Sequence, residues 1–318
     1  MRALLVSLLM LVMPIVASQA DEQKYRLGLL AQTPGSLRVT QNVTLPELAK
    51  LGFEEGRNLV VDERSGNAEA LPRLANELLL TKPDAILAVG SDAIRAANEA
   101  TKTVPIVIFG SLPTNKEPAV ALARPGGNIT GVLILVAELD GKRLDLLREV
   151  VPEARRFAAL MQPSSPLRQA SEHEMRKVAA SAGVELLTFD ASSANEYPAV
   201  FTAMRAAGIQ ALVIMANATF NRDRVALARL AIETGLPTSC EWASMAHAGC
   251  LLGYGPDAED LRRRVAHHLA HIFRGTAPGD IPIELPTRFE FAVNLKTAKA
   301  LALTVPALTL TRADEVIE

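Results

Sequence analysis

The sequence predicts an α/β fold of two Rossmann-like lobes with parallel sheets, joined by a hinge of three crossovers. Short apolar runs alternate with amphipathic segments, a pattern typical of β-α-β units with helices on both faces of the sheet. This alternation starts again after about residue 138. The 318 residues are also too many for one core of ordinary size, so two lobes of about 100 to 200 residues are expected.

The first half contains five short apolar runs that predict strands. They are Tyr25–Ala31, Asn58–Glu63, Ala85–Val89, Val104–Phe109 and Gly127–Leu135. Between them we predict a weak helix at Leu45–Leu51 and two stronger helices at Leu71–Leu80 and Ala93–Lys102, where apolar residues recur on one face. Ser91 or Asp92 is the expected N-terminal cap of the last of these helices.

The second half repeats the same rhythm. Its predicted strands are Arg156–Met161, Val184–Phe189, Ala211–Met215, Thr238–Cys240, Cys250–Tyr254 and Arg288–Val293. Its predicted helices are Asp140–Val150, Ser165–Ala182, Asn195–Ala207, Arg222–Thr234, Asp257–Phe273 and Asn294–Leu303. The helix at Asp257–Phe273 is strongly amphipathic, with Leu261, Val265 and Leu269 on its apolar stripe and Arg262 off it.

Three extended stretches are candidates for crossings between the lobes, near Leu135–Leu139, Tyr254–Asp257 and Ile283–Thr287. They divide the chain into a first lobe of residues 21–136 plus about 256–284, and a second lobe of residues 137–255 plus about 285–318. No low-complexity linker separates the two. The connection is therefore expected to be a short, ordered hinge rather than a flexible tether.

The N-terminus is typical of a secretory signal peptide. A positive start at Arg2 precedes the apolar run Ala3–Val16, and the small residues Ser18 and Ala20 fit a cleavage site. The run is short for a membrane span, which needs about 20 residues. We therefore predict that residues 1–20 are a cleaved signal peptide and that the mature chain is periplasmic. The alternative is an uncleaved anchor or a buried helix.

Composition and missing motifs exclude several classes of function. The formal net charge of −2 argues against nucleic-acid binding. The chain has no nucleophile elbow, phosphate-binding loop or dinucleotide fingerprint, so neither a cofactor nor catalysis is predicted. His267 and His271 lie one helical turn apart without an evident third ligand, so no metal site is predicted. For Cys240 and Cys250 we expect two buried thiols, with a disulfide as the alternative.

Ligand-binding residues are expected at the carboxyl ends of the parallel strands, where open α/β sheets bind ligands. The candidates at these places are Gln32, Thr33, Gly90, Ser91, Ser111, Ser164, Ser165, Asn217, Trp242 and Tyr254. They suit a small polar or zwitterionic molecule. A carboxylate would meet helix N-termini at Ser91 or Ser164. For each Ser or Asn, a helix cap or turn is the alternative role.

Few aromatic residues are available for stacking, because the chain has 9 Phe, 3 Tyr and 1 Trp. Trp242 follows a predicted strand and is either a wall of the ligand site or an anchor in a lobe core. Tyr254 is a similar candidate, with Phe109 third. Glu241 either holds a ligand ammonium group or is a solvated loop carboxylate.

Several segments resemble one protein family. They are Ala123–Val132 (ARPGGNITGV), the tail Leu285–Glu318, Gly52–Asn58 (GFEEGRN), Trp242 and Leu251–Asp257 (LLGYGPD). The family is that of the exported ABC-transporter substrate-binding proteins related to tryptophan/tyrosine-type binding proteins. This resemblance implies a type I periplasmic-binding fold with the ligand in the cleft between the lobes. It also implies ligand contacts at Ser91, Ser164, Asn217, Trp242 and Tyr254.

The expected function is therefore that of an exported receptor that binds a small molecule and delivers it to an ABC permease in the inner membrane. An amino acid, aromatic or branched, or a related small carboxylate is the leading ligand class, and a monomer is expected. One alternative is a periplasmic sensor for a membrane receptor. Another is an exported enzyme, for which only Asp92 and Glu241 offer a titratable pair at strand ends.

Overall fold

The computed structural model describes residues 24–111, 122–134 and 136–318. The predicted signal peptide, residues 1–20, lies outside the described residues, as does Leu135 of the first predicted crossing. Within the described ranges, no helix combines the length and the apolar character needed to cross a membrane.

The first lobe is built on a parallel sheet of five strands. The strands are β1 (Tyr25–Ala31), β2 (Leu59–Ser65), β3 (Ala85–Val89), β4 (Ile106–Gly110) and β5 (Ile129–Leu133). They pair in the order β2-β1-β3-β4-β5. The helices are α1 (Pro34–Val39), α2 (Leu45–Lys50), α3 (Leu71–Leu80) and α4 (Ser91–Ala100), with a π-helical segment at Thr40–Thr44. Strands β3 and β4 are buried throughout, as strands covered on both faces must be.

The second lobe is built on a sheet of seven strands. They are β6 (Arg156–Met161), β7 (Glu185–Asp190), β8 (Ala211–Ile214), β9 (Thr238–Cys240), β10 (Leu252–Pro256), β11 (Phe289–Asn294) and β12 (Glu315–Ile317). Its helices are α5 (Val136–Val150), α6 (Arg168–Ser181), α7 (Tyr197–Ala206), α8 (Ala218–Arg222), α9 (Arg224–Glu233) and α10 (Ala243–His247). The order is β12-β11-β10-β9-β8-β6-β7.

One edge of this second sheet departs from the parallel pattern. Strand β11 runs antiparallel to β10, and β12 pairs parallel to β11. The reason lies in the path of the chain, because β11 is entered from the first lobe and not through a helix of its own lobe. After β11 the chain ends in α12 (Leu295–Ala300), α13 (Ala307–Arg312) and β12. The prediction of two α/β lobes with mostly parallel sheets is confirmed.

The amphipathic helix α11 (Ala258–Phe273) belongs to the first lobe although it follows β10 of the second. The predicted apolar stripe is buried from Leu261 to Phe273. Phe273 packs 5.1 Å from the Tyr25 ring and 5.2 Å from the Phe53 ring. Burial of each such large side chain contributes about 1.5–3 kcal/mol. These contacts fix α11 against the end of the first sheet.

The chain crosses between the lobes three times. The first crossing joins β5 to α5, and the second joins β10 to α11. The third leaves the first lobe at Glu284, which exchanges backbone hydrogen bonds of 2.9 Å with Gly131 and Leu133 of β5, and enters β11. His268 of α11 places both ring nitrogens 3.0 Å from carbonyl oxygens, those of Arg264 and Pro282. Its buried ring thereby attaches α11 to the third crossing.

Several short elements were not predicted: α1, α8, α10, α13 and β12. None is longer than six residues, too short for an apolar period to stand out. The predicted cap of α4 was also wrong. The helix begins at Ser91, and its N-cap residue is Gly90, which has no side chain that could accept a capping hydrogen bond. The φ of Gly90 is 97°, a conformation that glycine adopts without strain.

Gly131 of β5 provides a test of the first sheet. Its φ is 133°, and a Cβ there would lie 2.4 Å from the backbone N and O of Ile108 on β4. For Gly131→Ala we expect a loss of about 2 kcal/mol or more in the free energy of unfolding, because the two strands must separate. Urea titration measures this loss.

The matched control is Gly35→Ala in α1, where the nearest atom to the added methyl group would be 3.6 Å away. This change is expected to be neutral or slightly stabilising, because alanine restricts the unfolded chain. Equal unfolding curves for the two variants would contradict the close packing of β4 on β5.

Candidate functional site

A cavity lies between the two lobes, at the carboxyl ends of strands from both sheets. It holds about 650 Å³ of empty space, counted out to its mouth. The first lobe contributes residues that follow β1, β3 and β4, and the second contributes residues that follow β6, β8 and β9. The cavity therefore lies at the edge where open parallel sheets bind ligands.

The cavity brings together seven of the ten predicted residues. These seven are Gln32, Gly90, Ser91, Ser111, Ser165, Asn217 and Trp242. Phe109 also lines it, and the Trp242 side chain is only 7% exposed. The cavity therefore has two aromatic walls, one from each lobe, among mainly polar side chains.

The other three predicted residues do not line the cavity. Thr33 is buried as the N-cap of α1, where its hydroxyl accepts from the Ser36 amide at 3.1 Å. Ser164 is exposed in the turn after β6. Tyr254 lies within β10 and stacks on Phe289, with ring centroids 6.1 Å apart. Strand-end position alone does not decide whether a side chain faces the cleft or the lobe.

Some polar residues of the cavity already have structural partners. Asn217 caps α8 by accepting from the Thr219 amide at 2.8 Å. Ser111 donates to the carbonyl of Ile134 beside the first crossing. Asp92, within the first turn of α4, accepts from Gln32 at 2.6 Å and from Arg95 at 3.1 Å. Burial raises the pKa of Asp92, and Arg95 opposes this effect.

Glu241 is a buried carboxyl group in the cavity wall, 7% exposed. Burial raises its pKa from 4.5 to about 7, although the Arg143 charge and a hydrogen bond from Trp242 act in the opposite direction. The expectation of a solvated loop carboxylate was therefore wrong. The side chain follows β9 directly into the cleft, where water is largely excluded, and its charge is correspondingly sensitive to what binds beside it.

Arg143 of α5 holds this part of the wall in place. Its fully buried guanidinium donates to Asp140 at 2.6 Å, to the carbonyl of Tyr254 at 2.8 Å and to the carbonyl of Glu241 at 3.2 Å. The glycines of β10 let the wall approach closely, since a Cβ on Gly255 would lie 2.0 Å from the Glu241 carbonyl oxygen. The wall backbone is therefore fixed from two sides.

Cys240 and Cys250 form a disulfide, so the expectation of two buried thiols was wrong. The turn through α10 returns the chain beside β9, and the two Cα atoms lie 6.5 Å apart, within disulfide range. Both residues are fully buried. The bond closes the loop that carries Glu241 and Trp242.

Arg262 of α11 is the main cavity residue that the sequence did not single out. Its guanidinium carbon lies 4.2 Å from the centroid of the Phe109 ring. The Nε and Nη1 atoms are buried and have no hydrogen-bond partner among the described residues. Burial lowers its pKa to about 10, and the Glu241 charge opposes this effect. The helical period placed Arg262 off the apolar stripe but carried no information on which lobe covers that face.

Two α/β lobes with three crossovers and a cavity between facing strand ends define the class of two-lobed periplasmic-binding proteins. Residues 35–317 match a family model described as ABC transporter substrate binding protein. The chain belongs to this family.

Relatives of known structure agree in fold. A conserved domain protein from Vibrio cholerae has a TM-score of 0.84 at 22% identity, over 92% of this chain and 100% of that one. An ABC domain from Streptococcus pneumoniae in complex with L-Trp has a TM-score of 0.82 at 21% identity, over 93% of this chain and 100% of that one. A tyrosine-binding protein from Clostridioides difficile is 22% identical over 253 residues, 79% of this chain and 72% of that protein.

The burial of Glu241 predicts a specific dependence of stability on pH. Between pH 4.5 and about pH 7, the folded protein retains a proton on Glu241 that the unfolded chain has released. This residue therefore makes the free energy of unfolding fall as pH rises. For Glu241→Gln we expect the fall in the free energy of unfolding between about pH 5 and about pH 7.5 to be smaller by about 2 kcal/mol. Urea titrations at both pH values measure the difference.

The control is Glu153→Gln, which removes an exposed carboxylate of the same lobe. It should leave the pH dependence of the wild type unchanged. If Glu241→Gln also leaves it unchanged, Glu241 is not held in a desolvated environment.

Proposed function

We propose that this chain is an exported solute receptor that binds a small molecule in the cavity between its lobes and delivers it to an ABC permease in the inner membrane. The observation that carries the proposal is the cavity itself, because strand ends of both lobes line it. A ligand held there contacts both lobes at once. It therefore favours the closed arrangement over an open one, in which half of these contacts would be lost.

The proposed moving units are residues 21–136 with about 256–284, and residues 137–255 with about 285–318. Packing of α11 on the first lobe and pairing of β11 with β10 support this division. We further propose that residues 1–20 are removed on export and that the mature periplasmic protein acts as a monomer. Family membership supports this location, because such proteins function outside the cytoplasm.

The proposed ligand is an amino acid, aromatic or branched, or a related small carboxylate. Relatives that bind tryptophan and tyrosine support this class. The cavity adds the aromatic walls Phe109 and Trp242 and opposite charges at Arg262 and Glu241. No step of catalysis is proposed.

The direct experiment is a thermal-shift screen of the mature protein against the amino acids and aromatic acids, followed by calorimetry on every compound that raises the Tm. A ligand at 100 times its Kd stabilises the folded state by about 2.7 kcal/mol, which is readily detected. If no compound raises the Tm at large excess, the proposed ligand class is wrong.

For any ligand found, Trp242→Ala should weaken binding by about tenfold or more, because a large aromatic wall is lost from the cavity. Calorimetry measures the Kd. Tyr254→Phe is the matched control, since Tyr254 packs on Phe289 outside the cavity lining, and it should bind as the wild type does. Equal Kd values for both variants would place the ligand away from Trp242.

A further inference from the structure

We propose, on the basis of the receptor function above, that Arg262 binds the anionic group of the ligand and that this group is a carboxylate. The two buried nitrogens Nε and Nη1 lack a hydrogen-bond acceptor among the described residues. A buried charged donor without an acceptor costs free energy that an incoming anion would recover. The anion therefore goes to a side chain of α11 and not to the helix N-termini at Ser91 or Ser164.

The other arginines near the cavity do not offer such a site. Arg143 already donates to Asp140 and to two carbonyl oxygens. Arg95 donates to Asp92. Within the described part of the chain, Arg262 is thus the guanidinium of the cavity lining that has buried donors to spare.

Surrounding groups select the kind of anion. The Phe109 ring covers one face of the guanidinium, so a ligand reaches its edge, which matches a planar carboxylate. Glu241 and Asp92 also line the cavity. In their ionised forms, these carboxyl groups would repel a doubly charged phosphate or sulfate more strongly than a single carboxylate.

The same charges favour a zwitterion. Arg262 lies on a helix of the first lobe, and Glu241 follows β9 of the second. Glu241 is about half ionised at neutral pH, and a ligand carboxylate at Arg262 would repel its ionised form unless a positive group lies between them. An ammonium group directed toward Glu241 removes that repulsion, and the molecule then links the two lobes through its opposite charges.

The test is to let the protein bind small molecules first from a cell extract and then from a mixture of three known compounds. The mature protein is dialysed first against a small-molecule extract of bacterial cells, and the bound compounds are identified by mass spectrometry. The variants Arg262→Met and Arg262→Lys are treated in parallel. Arg263→Met is the matched control, because Arg263 is the exposed neighbour on the same helix and pairs with Glu259.

We expect the wild type and Arg263→Met to enrich a compound that carries a carboxylate. Arg262→Met should bind it about 10- to 100-fold more weakly, the range for lost charged hydrogen bonds, and Arg262→Lys should lie between. The Tm of ligand-free Arg262→Met is expected to be at least that of the wild type, because an unpaired buried charge is removed. If it is lower, Arg262→Lys, which keeps the charge, decides: binding by this variant within about threefold of the wild type would overturn the proposal.

The proposal is overturned if the enriched compound lacks a carboxylate, or if Arg262→Met binds it within about threefold of the wild type while both fold. In either case the receptor function stands. If the wild type enriches no compound, the receptor function itself fails, so the two failures are distinguishable. A second dialysis against L-phenylalanine, phenethylamine and 3-phenylpropionate separates the contributions of the two ligand charges. Phenethylamine has no carboxylate, so if the wild type retains it and Arg262→Met does not, Arg262 does not act by binding a ligand carboxylate.

Discussion

The position of the second lobe's cavity wall depends on the buried guanidinium of Arg143. This one group joins the helix after the first crossing to the ends of β9 and β10, and β10 leads into the second crossing. Removal of such a group would take a buried donor from the carbonyl oxygens of Tyr254 and Glu241 and a buried countercharge from Asp140, which is more costly than the net gain from the pair itself. The helix after the first crossing and the cavity wall therefore share one buried anchor.

The sequence predicts the fold well where burial imposes a clear pattern. Strands β1, β3 and β6 and helix α3 have the predicted bounds, because a strand buried on both faces is a nearly continuous apolar run and α3 presents leucines on one side. The short helices of the cleft rim could not be found in this way. Helix α1 buries none of its residues, and the π-helical segment after it buries only the polar residues Thr40 and Thr44, so no apolar period marks them. The antiparallel β11 depends on a crossing between lobes, which a local pattern does not describe.

The residues of the candidate site also fall into those that a local sequence pattern predicts and those that it does not. Residues such as Gln32, Ser91 and Asn217 could be predicted because the carboxyl ends of parallel strands meet at one edge, which sequence position alone identifies. Arg262 and the buried state of Glu241 could not, because both depend on one lobe covering the other. A charged residue on the polar face of a helix has the same local pattern whether water or a second lobe lies against it. The disulfide beside β9 is a similar case, since its formation depends on where the loop through α10 returns.

The arrangement of charge also bears on release, which the proposed transport function needs as much as capture. Arg262 and Glu241 lie on different lobes; Glu241 is buried, and the Nε and Nη1 atoms of the half-buried Arg262 are buried as well. In the absence of ligand, their attraction favours closure, but desolvation of the two groups opposes it, and neither gains a hydrogen bond from the other in this arrangement. Such a balance leaves the empty closed state with little net advantage. A ligand that supplies the missing partners tips the balance by its differential affinity for the closed state. A partner that separates the lobes would expose both charges to water again, and relief of their desolvation cost would favour release.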